Sequence, residues 1–223
     1  MSFQDDGKYV MYFSAAPRES PKQHCIAVGL SSSPEGPYKP EDKPLACNLD
    51  KGGSIDPSGF KDVDGTRYVV YKIDGNNKAN PSTPIMLQRL KADGVTPDGE
   101  PKKLLDRDES DGPLVEAPSI ALHDGTYYLT YSSHMFDTKN YDVRYATASS
   151  ITGPYTKAKG QLLKTGDLTG VGEELMAPGG SDFSEDGKKI VFHAFKNNTA
   201  GIKDGRAMFI ADISLSKGKI TIN

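Results

Sequence analysis

The sequence predicts an all-β fold, a β-propeller built from repeated units of four antiparallel strands. An Asp-Gly pair followed by an aromatic and β-branched run occurs four times in the 223 residues, and its glycines (Gly7, Gly65, Gly125 and Gly187) stand 58, 60 and 62 positions apart. Pro and Gly interrupt the chain about every 10 to 20 residues, and no helical periodicity is sustained. Four-stranded units that repeat radially are typical of a propeller. A β-sandwich is the alternative, but it offers no reason for a repeat of about 60 residues.

Each repeat contains a predicted hairpin turn. Asp-Gly favours a type I′ turn, because both central residues of that turn need a positive φ. The runs after the turns suit half-buried or buried strands, and they read VMYFSA, YVVYKI, YLTYSS and IVFHAF. A second pair of similar segments supports the repeat of about 60 residues, because SSSPEGPYKP at residues 31–40 resembles SSITGPYTKA at residues 149–158, two repeats later.

The strands can be placed in order within three of the repeats. The repeat around Gly65 is predicted to contain strands at residues 54–60, 67–73, 84–90 and 102–105. Around Gly125 they fall at 115–122, 126–133, 141–149 and 161–164, and around Gly187 at 179–183, 188–195, 206–213 and 219–223.

The first repeat is predicted to be incomplete. It starts directly at the Asp6-Gly7 turn, so its inner strand is expected to be absent or reduced to a stub. A ring closed by four blades and a fragment would expose unpaired strand edges. We therefore expect residues 1–223 to form a single, incomplete propeller domain that is shortened at its N-terminus.

Two carboxylates open the inner strands of successive repeats, where a propeller gathers its chemistry around the axis. Asp56 stands directly before a proline in SIDPSG, and Glu116 stands one residue before Ala-Pro in VEAPS, 60 positions later. A lone acid in such a sequence is more often a surface loop residue. Two acids in matching repeat positions instead predict a paired-carboxylate site of the kind that glycoside hydrolysis needs.

These segments resemble a known family of enzymes. GGSIDPSGFKDVDGTRYVVYK and LVEAPSIALHDGTYYLTYSS are similar to the third- and fourth-blade segments of glycoside hydrolase family 43, while DDGKYVMYFSA and APGGSDFSEDGKKIVFHAF resemble parts of its second and fifth blades. The family includes arabinanases, arabinofuranosidases and β-xylosidases. The resemblance implies a five-bladed β-propeller whose first blade, and the start of whose second, are missing. It also implies inverting acid–base hydrolysis of arabinose- or xylose-containing plant cell-wall polysaccharides.

The resemblance assigns a role to each of the two acids. Glu116 is implied as the general acid and Asp56 as the aspartate that modulates its pKa and orients it. The family's base is an aspartate of the first blade, so it is not in this chain. Neither Asp5-Asp6, in a turn, nor Asp182, expected to cap the turn that follows it, is a convincing substitute. Because loss of a general base costs about 10²–10⁴-fold, this chain alone is expected to be weakly active or inactive. A non-catalytic carbohydrate-binding propeller is the main alternative, and a scaffold for protein partners ranks below it.

No cofactor or metal is expected. Many family members place a histidine in the inner strand of the fifth blade, where it helps to hold a hydrated metal, but residues 178–181 read PGGS. His193 lies on the next strand and is expected to be packed or hydrogen-bonded. The other histidines follow no ligand spacing; they are His24, His123 and His134.

Two aromatic residues, Phe136 and Tyr141, fall in the loop after YLTYSS and are expected to form a rim for a sugar ring. Most other aromatic residues fall on predicted strands, where core packing is the default.

Composition limits the partners and the location. The 27 basic and 30 acidic residues give a net charge of −3 and form no basic stripe, which argues against nucleic acid. No apolar run approaches the roughly 18 residues of a membrane span, and no signal peptide is visible in this chain, so an extracellular location is implied only by the family resemblance. A monomer that binds an oligo- or polysaccharide is expected. Cys25 and Cys47 can form a disulfide or remain two thiols.

Overall fold

The computed structural model describes residues 2–3, 7–76, 82–196 and 205–223. They form two compact units, an N-terminal unit (Met1–Asp106) and a C-terminal unit (Arg107–Asn223), and each unit contains two four-stranded antiparallel sheets. In each sheet the strands pair in chain order, so every connection between neighbours is a hairpin. Among the described residues, no helix is long and apolar enough to cross a membrane.

The N-terminal unit contains the first and second sheets. The first sheet consists of β1 (Ser2–Phe3), β2 (Tyr9–Ala15), β3 (Cys25–Ser31) and β4 (Lys39–Pro40). The second consists of β5 (Ser54–Lys61), β6 (Arg67–Ile73), β7 (Ile85–Leu90) and β8 (Lys102–Leu105). A 3₁₀ turn at Leu49–Lys51 leads from one sheet to the next.

The C-terminal unit contains the third and fourth sheets. The third consists of β9 (Val115–His123), β10 (Thr126–Ser133), β11 (Asp142–Ala148) and β12 (Thr156–Lys157). The fourth consists of β13 (Gly179–Phe183), β14 (Lys189–Phe195), β15 (Arg206–Ser216) and β16 (Lys219–Ile222). A 3₁₀ turn at Glu109–Asp111 precedes β9, and its N-cap Asp108 accepts a hydrogen bond from the Ser110 amide.

The turns of the repeat only partly match their prediction. Both residues of Asp124-Gly125 have a positive φ, 46° and 69°, as a type I′ turn requires. At Asp64-Gly65 and Asp186-Gly187 only the glycine does. In those two turns the aspartate carboxylate accepts a hydrogen bond from the backbone N–H two residues later, at 2.8 Å from Thr66 and 3.1 Å from Lys188. The aspartate therefore acts there through its side chain, as in an Asx turn. Asp6 of the first turn lies outside the described residues.

The two similar segments at residues 31–40 and 149–158 form the same kind of turn. The Tyr38 hydroxyl donates to the Pro34 carbonyl at 3.0 Å, and the Tyr155 hydroxyl donates to the Ile151 carbonyl at 3.2 Å. Both segments lead into the short outer strand of their sheet. The repeat is thus structural as well as sequential.

One strand prediction is wrong and one is confirmed. Residues 161–164 do not form the outer strand of the third sheet, which is Thr156–Lys157; Leu163 makes only an isolated bridge to Val143 on β11. The inner strand of the first sheet is present as the two-residue β1, the stub that was expected. The described residues thus form four sheets, each with four strands.

Each unit has its own apolar core, formed where its two sheets contribute strand residues. In the N-terminal unit the buried set is Val10, Ile26, Val28, Leu45, Val69, Tyr71, Ile73 and Leu90. In the C-terminal unit it is Ala121, Tyr128, Val143, Leu163, Leu175, Ile190, Phe192, Ala194, Ile213, Leu215 and Ile220. Cys25 and Cys47 form a disulfide within the N-terminal unit, with their Cα atoms 4.4 Å apart.

Candidate active site

The inner strands of the second, third and fourth sheets share one backbone feature. A residue directly before a proline has a left-handed φ, at Asp56 (57°), Ala117 (50°) and Ala177 (51°). In the second and third sheets the ladder register shifts across this point, as at a β-bulge. Such bulges change the direction in which side chains point. The backbone near the start of these inner strands therefore departs from regular strand geometry.

This feature corrects the predicted equivalence of the two acids. Asp56 matches Ala117, and Glu116 matches Ile55, because Glu116 pairs with Ser132 on β10 as Ile55 pairs with Lys72 on β6. The two carboxylates therefore occupy adjacent, not identical, positions of the repeat. One carboxylate belongs to the left-handed residue and the other to the residue before it.

Asp56 is placed by contacts within the N-terminal unit. Its backbone N–H donates to the Ser14 hydroxyl on β2 at 3.2 Å, which connects the start of β5 to the first sheet. Aspartate is one of the few residues that adopt a left-handed φ at low cost. The carboxylate is half-buried.

Lys72 lies beside this position and was not predicted. Its side chain is completely buried, it pairs in the ladder with Ile55, and its Nζ lies 3.6 Å from Asp74 Oδ1. Lysine is almost never fully buried unless it is paired. The sequence predicts only that Lys72 lies on a strand, and nothing in the local sequence YVVYKI indicates that this lysine is buried.

Glu116 is held by a tyrosine. The Tyr141 hydroxyl donates to Glu116 Oε1 at 2.8 Å, across 25 positions of the chain. Glu116 is half-buried on β9, whereas Tyr141 is only 3% exposed, just before β11. Tyr141 was expected to form a rim for a sugar ring, but its ring is instead part of a buried cluster with Ala177 and Phe195. Phe136 is 46% exposed, and a role at a rim stays a prediction.

Arg206, the first residue of β15, braces this cluster. Its Nη1 lies 2.8 Å from the Ala177 carbonyl and 2.9 Å from His193 Nδ1, and its Nη2 donates to the Phe136 carbonyl. The guanidinium carbon lies 4.0 Å from the Phe195 ring centroid and 5.3 Å from that of Tyr141. The sequence reading missed Arg206, because these partners lie in separate segments of the chain.

His193 is neutral in this setting. Burial lowers its pKa, the nearby Arg206 charge lowers it further and Glu116 opposes the shift, so that the pKa is about 4. Because a guanidinium can only donate, Nδ1 accepts from Arg206 and the proton of the ring is on Nε2. The prediction that His193 is hydrogen-bonded agrees with this contact.

The residues at this strand do not fit a metal site. Gly179 and Gly180 carry no side-chain ligand, and a Cβ on Gly180 would lie 2.4 Å from His193 Nε2, so the imidazole fills that space. A protonated Nε2 has no lone pair for a metal. Within the described ranges, no group of three or more His, Cys, Asp or Glu residues could hold a metal ion.

Asp182 is tied to the neighbouring sheet. Its Oδ1 accepts hydrogen bonds from the Ser119 hydroxyl on β9 and, at 3.1 Å, from the Phe183 amide. The following turn contains further side-chain hydrogen bonds of Ser184 and Asp186. A capping role for Asp182 stays a prediction, and its carboxylate is engaged between two inner strands.

Comparison with known proteins agrees with this geometry. The profile described as "Glycosyl hydrolases family 43" matches residues 3–220. "Extracellular endo-alpha-(1->5)-L-arabinanase 1" of Bacillus subtilis (strain 168) is 28% identical, over 96% of this chain and 64% of its own length. A "Xylosidase/arabinosidase" of Bacteroides ovatus is 31% identical, over 68% of this chain and 52% of its own length.

A solved structure supports the fold. The "Crystal structure of a thermostable family-43 glycoside hydrolase" superposes with a TM-score of 0.83 at 25% identity, over 99% of this chain and 72% of that one. The four sheets are accordingly blades of an all-β propeller. The chain spans between about half and two thirds of the length of these two curated relatives.

Proposed function

Because this chain belongs to the family 43 glycosyl hydrolases, we propose that it hydrolyses glycosidic bonds in arabinose- or xylose-containing plant cell-wall polysaccharides. The names of the relatives support this substrate class, since they include an arabinanase and a xylosidase/arabinosidase. The single observation that carries the proposal is the half-buried Glu116 carboxylate, engaged on one oxygen by Tyr141 at 2.8 Å.

In the proposed reaction Glu116 is the general acid. Its carboxylic acid donates a proton to the glycosidic oxygen while the bond from that oxygen to the anomeric carbon breaks. Water attacks the anomeric carbon from the opposite face and gives up one proton to a general base. The anomeric configuration is inverted. Asp56 is proposed to modulate the acid and orient it, as the family resemblance implies.

The finer proposal is a five-bladed propeller in which the base is an aspartate outside these 223 residues. The lengths of the relatives support it, since this chain covers 72% of the solved relative and 64% of the arabinanase. Asp182 is engaged by Ser119, which argues against its use as a substitute base. In this proposal the chain alone turns over slowly.

We propose secretion of the protein. The Cys25–Cys47 disulfide suits an oxidising compartment, and a relative is named extracellular. A polysaccharide of the cell wall would be met there.

Substitution of the two acids tests the proposed roles. Glu116→Gln keeps the size of the side chain but removes the proton donor, so hydrolysis of arabino- and xylo-oligosaccharides should fall about 10²–10⁴-fold. Asp56→Asn should also lower the rate, and the double variant should lose less than the product of the two single losses, because residues acting on one step are not additive. Undiminished turnover in Glu116→Gln would contradict the acid role, whereas sugar binding without any turnover in the unaltered chain would leave a carbohydrate-binding propeller instead.

A further inference from the structure

We propose that Tyr141 is the positioning residue of Glu116, and that its hydroxyl decides which carboxyl oxygen carries the catalytic proton. This inference rests on the proposed role of Glu116 as the general acid. It assigns no contact with substrate to Tyr141, which acts through Glu116.

The hydrogen bond defines the arrangement of the proton. The phenolic O–H of Tyr141 donates to Oε1 at 2.8 Å, so Oε1 serves as an acceptor. When Glu116 is protonated, its own proton is then carried on Oε2. Oε2 is therefore the atom that must face the glycosidic oxygen. Once its proton has been transferred, Glu116 is left as a carboxylate.

Tyr141 is itself held firmly on several sides. Its ring stacks on His193 with centroids 6.3 Å apart and an interplanar angle of 13°, and the Arg206 guanidinium lies over it. Its amide donates to the Thr138 carbonyl at 3.2 Å. On β13, a Cβ at Gly179 would lie 1.9 Å from Tyr141 Cε1, so the glycine is needed for the ring to fit.

This packing suits a residue that aligns another. A rigid aromatic ring with a buried hydroxyl fixes the position of its partner at little entropic cost, because its own freedom is already removed by packing. Arg206 serves the same assembly, since it ties the loop carrying Phe136 and the left-handed Ala177 to the His193 ring. A shift of about 1 Å in a catalytic group can cost about 10²-fold in rate.

The experiment compares Tyr141→Phe with the unaltered chain. Phenylalanine retains the ring, its stack and its packing on Gly179, and removes only the hydroxyl. A crystal structure of the variant should show the Glu116 carboxyl displaced by more than about 0.5 Å or in two conformers. kcat on an oligosaccharide should fall about 10- to 100-fold with KM unchanged, while release of 4-nitrophenol, a leaving group that needs little protonation, should fall less than about 3-fold.

Tyr155→Phe is the matched control. It removes a tyrosine hydroxyl in the same unit that donates to a backbone carbonyl, that of Ile151, at 3.2 Å. It should leave both the Glu116 position and the ratio of the two rates unchanged.

Each outcome decides between the two proposals. If Glu116 keeps a single, unshifted position in Tyr141→Phe, the positioning role is wrong, whatever the rates. If Glu116 is displaced in that variant but Glu116→Gln hydrolyses oligosaccharides normally, the positioning contact stands and the proposed acid role fails. Displacement together with the selective loss on oligosaccharides supports both.

Discussion

At the scale of single residues, two hydrogen-bond donors organise the candidate site, the neutral Tyr141 and the charged Arg206. Tyr141 donates to Glu116, and Arg206 donates to His193 and to two backbone carbonyls. Because His193 is neutral and the Arg206 guanidinium keeps its charge, the charge of these two neighbours does not change when Glu116 gains or loses a proton. The shift of the His193 pKa to about 4 is the measurable sign of this arrangement.

The first residue-scale prediction concerns Arg206→Met. NMR titration of the imidazole should give a His193 midpoint near 4 in the unaltered chain. In the variant the midpoint should rise toward 6.5, because the repulsion from Arg206 is lost, although burial still holds it below that value. Lys189→Met is the control, since it removes a cation of the same sheet that pairs with Asp212. A midpoint equal in Arg206→Met and the unaltered chain would contradict the assignment.

The same shift has a consequence for stability. The unfolded histidine takes up a proton near pH 6.5, whereas the folded one does so only near pH 4. Between these values the unfolded state binds more protons, so the contribution of His193 to stability is complete above about pH 6.5 and is lost as the pH falls toward 4.

At the scale of elements, the inner strands position the two candidate acids. Near the start of each lies a left-handed residue before a proline, and the acid occupies that position in β5 but the preceding one in β9. In the fourth sheet the equivalent segment continues into Gly179-Gly180, where the rings of Tyr141 and His193 fill the space of the missing side chains. The absence of a Cβ atom at Gly179 and Gly180 is thus what makes room for those rings.

Gly179→Ala should therefore be costly. Its Cβ would overlap the Tyr141 ring, and such overpacking typically destabilises by about 1–3 kcal/mol. Thermal unfolding should show a lower Tm, and oligosaccharide hydrolysis should fall as Tyr141 moves. Gly170→Ala is the control, because a Cβ there meets nothing within 4 Å. Equal Tm values for the two variants would mean that the close approach of Gly179 and Tyr141 is not real.

At the scale of the whole molecule, the proposed acid, Glu116, lies in this chain. The proposed base is an aspartate outside these 223 residues. Glu116, the proposed acid, is held by Tyr141, and the proposed mechanism assigns no residue of this chain to activate the attacking water. A nucleophile that needs no deprotonation should react without a general base, and should therefore raise the rate.

Azide provides the test. With 4-nitrophenyl arabinofuranoside or xyloside, azide can attack the anomeric carbon as the nitrophenolate leaves, and no base is required. We expect azide to raise nitrophenol release at least about 10-fold and to yield a glycosyl azide of inverted configuration, detected by NMR. Sodium chloride at equal ionic strength should have no effect. No stimulation by azide, with rapid hydrolysis in water, would mean that this chain contains its own base.

The amino-acid sequence by itself determined the repeat, most strand bounds in the second to fourth sheets, and the identity of Glu116 and Asp56 as candidates. These depend on turn residues, alternation and short motifs, all of which act over a few neighbouring positions. Residues 161–164 were misplaced because an apolar run that covers a strand edge resembles a strand.

Only the tertiary structure decided how Glu116 is held. Tyr141 is 25 positions away from it, and Arg206 reaches Phe136 across 70 positions and Ala177 across 29. The one-residue offset between Asp56 and Glu116 is seen only in the ladders that β5 and β9 form with β6 and β10, and the buried state of His193 depends on packing from several segments. Such contacts are set by how strands distant in the chain pack together, and no local pattern encodes them.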